Sequence, residues 1–102
     1  MLPPVLAEGE YSSFNFWMGE DIQQGISYEG EMFCCLCTLP LDYRAQLYHY
    51  ACRLMKTDSV VITVSDNHCR LWVSLRSPNL GNLKAQCIDE ASINEILELP
   101  ID

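Results

Sequence analysis

Residues 31–39 read Glu-Met-Phe-Cys-Cys-Leu-Cys-Thr-Leu, then Pro40, then Leu-Asp-Tyr-Arg-Ala-Gln-Leu-Tyr-His-Tyr-Ala-Cys-Arg-Leu-Met-Lys over 41–56. The first run is almost continuously apolar, the pattern of a central strand covered on both faces. Pro40 ends it, because proline gives no N–H to a ladder, and Asp42 lies where a carboxylate favours the start of a helix. Over 41–56 the spacing becomes helical. Tyr43, Leu47, Tyr50 and Leu54 form one apolar stripe, and Tyr48, Ala51, Cys52 and Met55 form a second beside it. Arg53 and Lys56 fall in the last turn, where cations complement the helix dipole. A helix lying on one sheet needs a single stripe. Two stripes imply either a face buried against another subunit or a helix sunk between the sheet and a second helix.

Downstream, residues 59–65 and 68–75 alternate with period two and flank Asp66-Asn67, a pair that tolerates the positive φ of a tight hairpin. Trp72 falls on the opposite side from Leu71 and Val73, so it either caps a second apolar layer or stands partly exposed as a contact. Upstream, residues 11–18 hold Phe14, Phe16, Trp17 and Met18 and read as a strand. Residues 22–29 read as a short edge strand broken at Gly25, with turns at 19–21 and 29–30. Pro3, Pro4 and Gly9 make residues 1–10 a flexible arm, leaving 11–102 as a single domain. Residues 77–81 form a loop, and helical spacing resumes near Asn82 with Leu83, Cys87 and Ile88. Ser92 and Glu95 have capping-box spacing ahead of Ile96, Leu97 and Leu99. This is one helix to about Leu99 or two short ones broken near Ala91, stopped by Pro100. The expectation is an α+β fold, β-β-β-α-β-β-α, with about five antiparallel strands and helices on one face.

A chain of 102 residues with 49% apolar content supports one core but little room for a deep cleft beside it. It has no apolar run near the ~18–20 residues of a membrane span. Its first residues carry two prolines and no base, a poor secretory signal. Six cysteines lie mostly inside periodic apolar segments, as buried reduced thiols do. They lack the paired Cys-x-x-Cys of a zinc site. The expectation from these features is a cytoplasmic chain.

The net charge of −8 is unevenly spread: all six basic residues lie between 44 and 84. The first 43 residues carry seven acids and no base, and residues 85–102 carry five acids and no base. Such flanks repel nucleic acid; they suit a basic partner or simply keep an oily protein soluble. No phosphate-cradling glycine loop, dinucleotide fingerprint or metalloprotease helix is present. Neither His49 nor His68 neighbours a glycine-rich elbow, and Cys69, next to His68, points to the opposite face of the strand. We expect no enzyme, no cofactor and no metal.

The order of elements resembles the class I chaperones of type III secretion, the Tir-chaperone family. The resemblance is carried by Phe33 to Leu39 with Pro40, Arg44-x-x-Leu47-Tyr48, Val60-Val61-Ile62-Thr63-Val64, and Cys69-Arg70-Leu71-Trp72-Val73-Ser74-Leu75, then Leu80 and Leu83. It covers about the last two-thirds of the chain. That family begins with a helix, for which the proline-bearing first ten residues offer no counterpart.

The resemblance implies a small acidic cytoplasmic chaperone, working without nucleotide or metal as a homodimer or paired with a related chaperone. Its partner would be a secreted effector, bound through its N-terminal region and kept secretion-competent. The implied dimer contacts are Leu47, Tyr48, Ala51 and Met55. Phe14, Phe16, Trp17 and Trp72 are the candidate partner-binding residues, chosen for aromatic bulk. The alternatives are an acidic inhibitor or immunity protein blocking a basic toxin or nuclease, and a regulatory subunit of a secretion apparatus.

Overall fold

The alternating segments form strands at almost the bounds their periodicity implies. The structure, a computed structural model, describes residues 2–7, 9–86 and 88–98. Its elements are β1 (Val5–Leu6), β2 (Ser12–Met18), β3 (Asp21–Tyr28), β4 (Glu31–Pro40), a 3-10 turn (Leu41–Tyr43), α1 (Arg44–Leu54), β5 (Val60–Val64), β6 (His68–Ser74), α2 (Leu80–Ala85) and α3 (Ile93–Glu98). Cys87, Leu99 and Pro100, assigned above to the C-terminal helical region and its stop, lie outside the described residues.

The sheet corrects the expected one. It has six strands, not five, in the order β1-β5-β6-β4-β3-β2, and it is mixed because β1 runs parallel to β5. Val5 and Leu6 pair with Ile62 and Thr63, and the Ile62 N–H donates to the Pro4 carbonyl at 2.9 Å. Two residues that follow Pro3-Pro4 give no periodic signal, so this strand is invisible to pattern. The edge assignment is also corrected. Residues 21–28 lie inside the sheet between β2 and β4, and β2 is the outer strand. Gly25 marks a close approach instead of a break. A Cβ there would sit 2.7 Å from the Phe14 ring and 3.0 Å from the Phe33 carbonyl oxygen, so the bare backbone is what lets Phe14 lie across it.

One face of the sheet carries the helices. Cys37, Leu39, Cys69, Leu71, Val73, Val60 and Ile62 meet Leu47, Tyr50 and Ala51 of α1, with Leu83, Ile88 and Ile93 closing the core. α3 packs on α1, and the Arg53 guanidinium donates to the carbonyls of Ile96 and Leu97 at the end of α3. This bridge explains the second stripe: α1 is covered by the sheet on one side and by α3 on another. At the β4 irregularity between Cys35 and Cys37, the Cys35 carbonyl accepts from Lys84 Nζ at 2.9 Å, which ties α2 to the sheet.

The other face holds a separate buried layer of Leu6, Ile26, Phe33, Val61 and Trp72, packed with Tyr11, Tyr28 and Cys35. No helix is needed to cover it, because the sheet curls. Five strand steps of ~4.8 Å would put the outer strands ~24 Å apart if flat. The six residue steps from Leu6 to Ser12 span at most about 21 Å. The chain must therefore draw the two edges together over this face. Tyr11 accordingly lies by Thr63, His68 and Arg70, and Pro4 by Tyr28 and Phe33.

Burial in the helix-side core sets an alkaline limit. It pushes the Cys37 thiol from 9.0 up to about 12 and the Tyr50 hydroxyl from 10.0 up to about 12, with neighbouring Cys35, Cys69 and Asp58 adding to the rise. A group whose folded pKa is raised gives stability that is intact below its unfolded pKa and is lost as pH climbs toward the folded one. Stability should therefore hold to about pH 9 and fall steadily toward 12. Urea midpoints measured across that range check it; a midpoint flat to pH 11 would contradict the burial of both groups.

Candidate partner-binding edge

β2 has a neighbour on one side only, so a row of its backbone groups is left unpaired. Proteins usually protect such an edge with lysine, proline, a bulge or brevity. β2 has none of these: Ser-Ser-Phe-Asn-Phe-Trp-Met is seven residues long, without charge or proline, and pairs with β3 in unbroken register. Acids bracket it, with Glu10 before it and Glu20 and Asp21 after it, all exposed. Burial, then the carboxylates of Glu29 and Glu10, push the Tyr28 hydroxyl up, as a negative potential at the first end of β2 would.

The register decides which side chains share a face. Phe14, Phe16 and Met18 lie on the helix-bearing side, half-buried, with the two phenylalanine rings 5.8 Å apart. Trp17 lies on the other face, directly opposite Ile22 on β3. Trp17 is 70% exposed and Ile22 60% exposed, so together they extend the Ile26–Phe33–Trp72 face past the end of its cover. Met32, 54% exposed, is a further uncovered apolar side chain.

Three of the four residues expected to contact a partner, Phe14, Phe16 and Trp17, thus sit on one edge strand. Trp72 does not join them. It is 1% exposed, and its indole N–H donates to Thr63 Oγ1 at 2.9 Å. Trp72 is the second apolar layer, and its assignment as a contact is withdrawn. Ile22 was missed. Its exposure depends on where the curl stops covering that face, which no local pattern records.

The expected dimer contacts also divide. Leu47 and Ala51 are both fully enclosed, so neither can meet another subunit. The reason is α3 together with the sheet, the buried-helix alternative. Tyr48 and Met55 remain half-buried but line different cavities: Tyr48 a groove with Val5, Arg44, Ala45, Ile62 and Val64, and Met55 a smaller one with Tyr28, Glu31 and Phe33.

Cys34, Cys35, Cys37, Cys52 and Cys69 are free thiols. Among the described residues, no three His, Cys, Asp or Glu side chains are grouped to hold a metal ion, and no helix is long and apolar enough to cross a membrane. No family model, curated protein or solved structure matches the chain.

Proposed function

We propose that this chain is a protein-binding module that holds an extended segment of another polypeptide against β2, as a cytoplasmic chaperone of the type III secretion kind holds its effector. The observation that carries the reading is the uncharged, unprotected edge of Ser12–Met18, with Trp17 and Ile22 standing exposed beside it. An added strand would satisfy the free backbone groups, while its alternate side chains would reach Trp17 and Ile22 on one face and Phe16 on the other. The α1 helix has no part in this contact.

Charge argues for the kind of segment. Pairing β2 antiparallel with β2 of a second copy would set Glu10 of one against Glu20 and Asp21 of the other, a like-charge contact. A segment with lysine or arginine outside an apolar stretch meets attraction at both ends instead. The secreted effector belongs to the resemblance described above; the edge itself supports only an extended partner. Capture of the full chain from its native cell, with mass identification of the bound protein and limited proteolysis of the complex, tests the reading. A single protected stretch in the partner is the result expected. A partner held only as an intact folded domain would overturn it.

A second reading, an acidic inhibitor of a basic toxin or nuclease, is favoured by the net charge of −8. Salt separates the two. A complex held by surface charge weakens steeply with ionic strength, whereas strand addition with apolar contacts weakens little.

A further inference from the structure

We propose that the groove between α1 and the β1–β5 edge binds a small carboxylate with an apolar tail, of the medium-chain fatty acid class. Val5, Ile62 and Val64 line it from the sheet, and Arg44, Ala45 and Tyr48 from α1. Its volume is about 340 Å³. At ~30 Å³ per non-hydrogen atom, that holds a ligand of about eleven such atoms. The size falls at the low end of ordinary small-molecule sites.

Charge complementarity selects the ligand. Among the described residues, Arg44 is the one charged residue lining the groove, and its guanidinium makes no hydrogen bond or ion pair. α1 also begins there. Asp42, exposed in the 3-10 turn that leads into α1, offsets the partial positive charge of the helix start, so the guanidinium is the site's source of positive charge. Arg44 thus stands unpaired beside an apolar trough in a protein of net charge −8. A guanidinium takes a carboxylate in a bidentate pair, and an aliphatic tail can lie along Ile62 and Val64 beneath Ala45 and Tyr48. A single negative charge suits the site better than a dianionic phosphate, because the protein's overall field penalises each added charge. The groove borders β1, at the opposite end of the strand order from β2, and the proposal stands apart from the segment-binding one.

Octanoate, at about ten non-hydrogen atoms, fits the volume estimate and serves as the probe. It is titrated into the full chain at fixed ionic strength and followed by amide and methyl NMR, with octylammonium as the oppositely charged control. The proposal predicts one saturable site, with shifts centred on Ala45, Ile62 and Val64. Octylammonium should bind about tenfold more weakly or worse, although the acidic surface as a whole attracts it. Arg44→Gln should weaken octanoate about tenfold, with Arg44→Lys recovering part, because one charge-assisted pair is lost. Ala45→Phe should fill the trough and abolish binding. Arg44 and Ala45 are exposed, so thermal melting should be unchanged in all three variants. Octylammonium binding as well as octanoate, an Arg44→Gln protein that still binds normally, or shifts away from the groove would each overturn the proposal.

Discussion

Replacing Trp72 with alanine should cost about 3–5 kcal/mol, the range for truncating a large buried aromatic. Trp72 is 1% exposed and lies between its cross-strand neighbours Cys35 and Val61, in the layer that the curled sheet closes over. Alanine would leave a cavity that neither strand can fill without bending. It would also strip the donor from Thr63 Oγ1, whose residue is only 4% exposed. Against the ~5–15 kcal/mol that holds a typical domain together, this is a large share. Urea unfolding should show a much lower midpoint with an unchanged slope. A loss below ~1 kcal/mol would place Trp72 at the surface, where a contact role would return.

Asn15→Lys combined with Trp17→Lys should abolish capture of the partner while leaving the fold intact. Both positions are exposed on β2, so the change in stability should stay within about 0.5 kcal/mol. Binding loses two things at once. A tryptophan anchor at an interface is worth ~2 kcal/mol or more, about thirtyfold, and charged side chains along an edge discourage strand addition. The combined loss should therefore exceed ~100-fold. Because the variant also reduces the negative charge, the control is His49→Lys with Asn82→Lys, which adds the same charge at exposed positions on α1 and α2. Equal weakening by both pairs would mean that net charge governs binding and that the edge does not.

The strands from β2 to β6 were legible because their patterns are long enough to repeat, although Asp66 and Asn67 join β5 to β6 without the positive φ expected of them. Gly19 and Gly30 do adopt a positive φ in their turns, and even Glu29 takes a φ of 49° beside Gly30. Features set by tertiary closure were not legible. β1 is two residues long and takes its meaning from β5, whose paired residues lie 57 positions away in sequence. The edge position of β2 follows from the strand order, which hydropathy does not encode. The double stripe on α1 suggests a face for another subunit, because the sequence does not say which element of the chain itself would cover it. α3 does so, with Arg53 reaching its last carbonyls. Of the two C-terminal alternatives, the pair of short helices is the one formed, α2 ending at Ala85 and α3 beginning at Ile93. The candidate site was half legible. Aromatic bulk pointed to Phe14, Phe16 and Trp17 but could not tell them from Trp72, because exposure depends on the curl.

Amide hydrogen exchange of the chain, free and with its captured partner, tests strand addition at β2 most directly. In the free protein, alternate amides of Ser12–Met18 face solvent and should exchange fast. In the complex those same alternate amides should become slow, while α1 and the β1 edge change little. Protection confined to α1, with β2 exchanging as fast as before, would contradict the account.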